Sequence, residues 1–163
     1  MNTKLTVNTL ADAFTRQHQD LDTRFRHVLE ASQAGNWREC DKEWSPLSDA
    51  LRDHMAFEER LLFPLYAKSS PTCNEDTSKL CGEHAEIRIL LERLGCEIEL
   101  HHAPPAGVDK FIIALRSHAQ REEALFHPWL ITSALDVPTQ RGVRHWIRTR
   151  VARAFAQATS SSA

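Results

Sequence analysis

HMAFEERLLFP at residues 54–64 and HAQREEALFHP at residues 118–128 share, in register, a His, a Glu-Glu pair, a Leu and a Pro. The first Glu of each pair stands four residues after the His, so on a helix His54 and Glu58 occupy one face, as do His118 and Glu122. A buried carboxylate is costly without a compensating charge, so two such faces turned inward predict a cation between them.

Outward from these stretches, chain breakers stand at Gly35-Asn36, Ser69-Ser70-Pro71-Thr72, Ala103-Pro104-Pro105-Ala106-Gly107 and Val137-Pro138. They divide the sequence into four long segments and a tail. Apolar residues recur at helical spacing in each segment: Phe14, Leu21, Phe25 and Leu29; Leu47, Leu51, Leu61 and Leu65; Leu80, Ile87, Leu91, Leu94 and Ile98; Phe111, Leu115, Leu125 and Trp129. Short connections between long amphipathic helices favour antiparallel neighbours. The expected fold is all-α, an up-down-up-down four-helix bundle over about 8–135 within a single domain of 163 residues. Pro46 either kinks the second helix or starts a new one after Ser45.

After Asp136 come Arg141, Arg144, Arg148, Arg150 and Arg153 and no acid, although the whole chain has a net charge of −2. Val143, Ile147, Val151 and Phe155 recur every four residues beside Trp146, which predicts a short, basic fifth helix over about 138–156, with Ala158 to Ala163 frayed. Docking on the acidic bundle, or on a second copy in a homodimer, is its expected role, ahead of contact with nucleic acid or a membrane. No apolar run is long enough to span a bilayer and the first residues lack the layout of a signal peptide, so a cytoplasmic protein is expected. Cys40, Cys73, Cys81 and Cys96 form no CxxC pair and read as free thiols, Cys81 lying three residues before His84.

One His falls on each long segment, and the midpoints of His18/His54, His54/His84 and His84/His118 fall close to the three turns. Residues equidistant from a hairpin turn lie at one height, here about 25 Å from the bend at 1.5 Å per residue. His18, His54, His84 and His118 should therefore form a ring at one level of the core, joined by Glu58 and Glu122. Nitrogen and oxygen donors without sulfur suit two iron ions, with the two carboxylates as bridges. His27 and His127 lie nine residues from a ring member, half a turn away, and His101, His102 and His145 lie in a turn or the tail; all five are expected to be non-ligands. The Glu-x-x-His pattern of ferritin-type sites occurs at Glu99 and His102 without a partner, which excludes that class.

At these residues the sequence resembles the hemerythrin-like, HHE cation-binding family, four-helix bundles that hold a non-haem di-iron centre. The resemblance covers about residues 8–135. It implies His18, His54, His84 and His118 as terminal ligands and Glu58 and Glu122 as bridges. Asp22 and Arg88, each one turn after a ligand His, become candidates for supporting the ligands from outside. Oxygen-carrying hemerythrins have two His a turn apart on the third helix, whereas here Leu80 and Arg88 flank His84. The four-His, two-Glu set is more similar to bacterial proteins of nitric-oxide and oxidative-stress response. The implied function is binding of, or reaction with, a small ligand (dioxygen, nitric oxide or peroxide) in sensing, storage or stress response. A di-iron oxidoreductase or peroxidase, an iron-centre repair protein, and a module that reports iron or oxygen through its basic tail stand as alternatives.

Overall fold

A computed structural model describes residues 3–132 and, beyond them, 135–136, 138–139, 141–143, 145–146 and 149, with side chains described from residue 11 onward. Helix α1 spans Thr3–Gln33, α2 Trp37–Phe57, α3 Phe63–Ala67, α4 Pro71–Glu99 and α5 Pro105–Thr132. A single π-helical turn, Glu58–Leu62, joins α2 to α3. Helix α1 packs on α2 and α5, and α4 packs on α5, α3 and α2, which closes the ring of an antiparallel helical bundle. Pro46 lies inside α2, which runs through it unbroken.

The breakers act through specific chemistry. Gly35 takes φ +71° as the left-handed residue that ends α1, its N–H bonding to Ser32 O at 3.1 Å while Asn36 N–H bonds to Ala31 O at 2.9 Å. The end of α4 repeats this pattern with His101 at φ 52°, bonding to Ile98 O, and His102 bonding to Glu97 O. His101 lacks the freedom of glycine, but its ring stacks on Trp37 at 5.2 Å and 10° between planes. Ser70 caps α4, its hydroxyl accepting the Cys73 N–H at 3.1 Å, and Pro71 occupies the first turn where its missing N–H costs nothing.

The core divides in two. One apolar cluster, with Leu21, Phe25, Leu47, Leu51, Met55, Ile87, Leu91 and Phe111, fills the end nearest the α1–α2 and α4–α5 turns. The other, with Phe14, Leu62, Phe63, Tyr66, Leu80 and Phe126, fills the opposite end. The inward face beyond each Glu-Glu pair differs from the sequence expectation. Leu61, Leu65, Leu125 and Trp129 are only partly buried, and Leu62, Phe63, Tyr66, Phe126 and Leu130 take their place. The buried stripe runs His54, Glu58, Leu62, Tyr66 on one side and His118, Glu122, Phe126, Leu130 on the other. A strict four-residue step winds slowly round a helix instead of staying on one line, and an i+7 projection misses it.

Beyond α5 the described residues between 138 and 149 are helical. Val143 is 1% exposed and belongs to the second apolar cluster, with Trp146 packed against it, so this segment docks on the bundle. Arg144, Ile147, Arg148, Arg150, Val151, Arg153, Phe155 and the residues to Ala163 lie outside the described residues.

One surface pair ties α1 to α5. The Arg116 guanidinium donates to both Asp22 oxygens, at 2.6 and 3.1 Å, and Arg26 adds a bond at 3.1 Å. The Arg116 bonds, aided by Arg26, hold the Asp22 carboxyl below its ordinary range against a smaller opposing effect of burial. A depressed carboxyl stabilises the fold above its unfolded pKa, near 4, and that contribution disappears as pH falls through the folded value. Asp22→Asn should therefore lower stability at pH 7 by about 0.5–1 kcal/mol, the modest figure for a solvent-screened pair, and the gap to wild type should narrow as pH falls below the unfolded value near 4. Urea unfolding of both proteins from pH 3 to 7 measures this, and a gap independent of pH would contradict it.

Candidate metal centre

Between the two apolar clusters lies a polar layer. His18 on α1, His54 on α2, His84 on α4 and His118 on α5 are all buried there, and Glu58 and Glu122 are fully buried. The imidazoles meet in two pairs, His18 Nε2 3.2 Å from His54 Nε2 and His84 Nε2 2.8 Å from His118 Nε2. Glu58 lies between the pairs, 2.9 Å from His54 Nε2 and 3.4 Å from His84 Nε2. Glu122 mirrors it at 3.3 Å from His18 Nε2 and 3.2 Å from His118 Nε2. Ligand atoms thus fall into two groups, His18/His54/Glu58/Glu122 and His84/His118/Glu58/Glu122, each with all atoms within 4.8 Å of one another. Both groups contain both carboxylates.

Local structure explains the convergence. Glu58 opens the π-helical turn, a widened turn of the kind that recurs at functional sites, and Glu122 stands on regular helix one turn after His118. The electrostatics suit a cation. All four oxygens of Glu58 and Glu122 are buried without a hydrogen-bond partner among the described residues. Burial pushes both carboxyls up, and for Glu122 the charge of Glu58 adds to that push, yet the neighbouring imidazoles hold both below the ordinary carboxylate range. Burial likewise pulls His18 down, and Glu122, Glu123 and Glu58 together raise it well above its ordinary value. These orphaned oxygens and converging Nε2 atoms fit divalent cations, and two imidazoles with carboxylates form the donor set of non-haem iron.

The outer faces of the rings are also held. His18 Nδ1 meets Glu123 at 3.0 Å, His84 Nδ1 meets Glu59 at 2.9 Å and His118 Nδ1 meets Glu83 at 2.9 Å. A carboxylate on the far nitrogen fixes the tautomer and raises the basicity of the ligating one. Arg88 donates to both oxygens of Glu59 at 2.9 Å, so it supports His84 through that carboxylate, and Arg121 pairs with Glu83 in the same way. Asp22, by contrast, is engaged by Arg116 and Arg26, and the Nδ1 partner of His18 is Glu123. Sequence reasoning missed Glu59, Glu83 and Glu123. Two of them are the second Glu of the repeated pair and the third immediately precedes His84.

The other histidines lie outside the polar layer. His127 Nε2 meets the Thr15 hydroxyl at 2.7 Å, His27 faces Glu39 at 3.6 Å and His101 faces Asp41 at 3.4 Å. Neither metal-compatible group includes His27, His101, His102, His127 or His145.

With this geometry in view, comparison with protein families is decisive: the profile of the hemerythrin HHE cation binding domain matches residues 9–130. The chain belongs to the hemerythrin HHE cation-binding domain family. Neither curated proteins nor solved structures yielded a match. The matched span of this HHE domain contains every member of the buried His/Glu cluster. Family and cluster together point to metal binding, with iron the metal they favour. Among the described residues of the HHE domain, no helix is long and apolar enough to cross a membrane.

Proposed function

We propose that this HHE domain binds two iron ions, one held by His18 and His54 and the other by His84 and His118, with Glu58 and Glu122 bridging them. The observation that carries this reading is the sharing of both carboxylates by the two four-residue groups. Iron supplies redox chemistry and open coordination positions. The protein contributes the rest: Glu123, Glu59 and Glu83 orient the imidazoles, and the two apolar clusters keep bulk water away.

A cavity of about 20 Å³ adjoins the layer, lined by His18, His54 and His118 together with Leu21, Leu51, Met55, Ile87 and Leu115. Room of that size admits a particle of about one or two heavy atoms, and the aliphatic wall disfavours an ion. This supports dioxygen, nitric oxide or peroxide as the ligand, taken up for sensing, storage or stress response.

Metal analysis and absorption spectra of protein purified without air, then exposed to it, test this directly. About two irons per chain, with oxo-bridge bands appearing in air, is the expected result. Fewer than one iron, or zinc that iron cannot replace, would sink the di-iron reading.

A further inference from the structure

His54 is held differently from the other three imidazoles. Its Nδ1 is buried without a hydrogen-bond partner among the described residues, whereas Nδ1 of His18, His84 and His118 each meets a carboxylate. Two aromatic rings lie against it instead, Phe14 at 6.2 Å and 31° between planes and Trp146 at 6.0 Å and 29°. Trp146 also lies flat on Phe57, three residues after His54, with centroids 3.7 Å apart and planes 6° apart. One turn earlier in the C-terminal segment, Val143 is buried in the cluster that includes Phe14, Phe63 and Phe126.

We propose that the C-terminal segment is a working part of the metal centre. Trp146 positions His54 where a carboxylate positions the other ligands, so docking of the segment and occupancy of the His18/His54 cluster depend on each other. This rests on the two-ion reading above. An imidazole that offers Nε2 to a cation keeps its proton on Nδ1, and a carboxylate there would fix the ring and strengthen the donor. Among the described residues nothing accepts that proton at His54, so on its Nδ1 side the ring is held by packing. Removing one packing partner loosens the His54 ring, with no Nδ1 hydrogen bond among the described residues to hold it. His54 belongs to one of the two groups only. The consequence is asymmetric: loss of Trp146 loosens one ion and spares the other. Coupling between sites is reciprocal, so metal must also tighten the docked segment.

The test compares wild type, Trp146→Ala and Trp146→Phe, each loaded anaerobically with Fe(II), and with Co(II) as a spectroscopic probe, in titrations that resolve both ions. Trp146→Ala should weaken one ion by about 10–100-fold, the scale for losing a partner that orients a ligand, while the second ion binds as in wild type and Trp146→Phe recovers most of the loss. In the wild-type chain, trypsin should cut the Arg-rich segment more slowly with metal than without. Circular dichroism checks that the variants are folded; if Trp146→Ala is not, Trp146→Phe against wild type and the trypsin comparison decide. Equal binding of both ions by folded Trp146→Ala, equal weakening of both, or a cutting rate indifferent to metal would overturn the proposal and leave the two-ion reading standing. A wild-type chain that binds no ion would overturn both.

Discussion

Replacing Glu58 by Ala should weaken binding of both proposed metal ions at once, whereas replacing His84 by Ala should weaken one. Glu58 belongs to both groups of four donors and His84 to one. The Glu58 carboxylate approaches imidazoles of both pairs, at 2.9 Å from His54 and 3.4 Å from His84, so its removal deletes a donor from each half of the layer. Orienting partners outside a metal's own ligands are each worth about 10–100-fold in affinity, and loss of a shared ligand should exceed that, about 100-fold or more at each ion. Glu122→Ala should behave as Glu58→Ala does, because Glu122 lies between His18 and His118 in the same manner. His127→Ala should leave metal content unchanged, since His127 engages Thr15 and belongs to neither group. Iron per chain after gel filtration reads all four variants, and equal iron in Glu58→Ala and His127→Ala would end the assignment of Glu58 as a bridge.

The level of the site was legible in the sequence because it follows from arithmetic. Helix rise is constant, so residues equidistant from a turn meet at one height, and His18, His54, His84 and His118 do meet. The face was less legible. Projection at three, four and seven residues carries the inward stripe from His54 to Leu61 and from His118 to Leu125, but the buried positions are Leu62 and Phe126. After α2 the chain also passes through the π-helical turn at Glu58–Leu62, and nothing in EERLL announces a widened turn.

The outer partners were illegible for another reason. Glu123 and Glu59 stand beside the buried carboxylates Glu122 and Glu58 in sequence, about 100° round the helix, which on a wheel places them toward solvent. Each nonetheless reaches an imidazole of the polar layer on a different helix, His18 and His84, across 105 and 25 residues. Such contacts depend on the spacing and rotation of neighbouring helices, which no single helix encodes. Asp22 shows the converse. It stands one turn after His18, but Arg116, 94 residues away, is the better partner for its carboxylate.

Stripping the metal should cost the fold more than any surface substitution while leaving the helices largely in place. Without cations, four imidazoles and two carboxylates remain in a layer where none is more than 8% exposed and the carboxylate oxygens have no hydrogen-bond partner among the described residues. An ion that binds only the folded chain stabilises it by about 2.7 kcal/mol when free metal is 100 times its Kd, so two independent ions contribute about 5 kcal/mol. For a chain of this size each kcal/mol moves the melting temperature by about 2–4 °C, which puts the expected fall on chelation at roughly 10–20 °C. The helices should survive because an apolar cluster flanks the layer on each side, Phe25, Leu51 and Phe111 toward one end and Phe14, Leu62 and Phe126 toward the other. Chelation should therefore change the far-ultraviolet spectrum little at 20 °C while lowering the melting temperature. Glu58→Ala, holding little metal to begin with, should show at most a small part of that fall. A wild-type melting temperature unmoved by chelator, in protein shown to have lost its iron, would mean that the polar layer is tolerated by the packing around it and that metal contributes nothing to the fold.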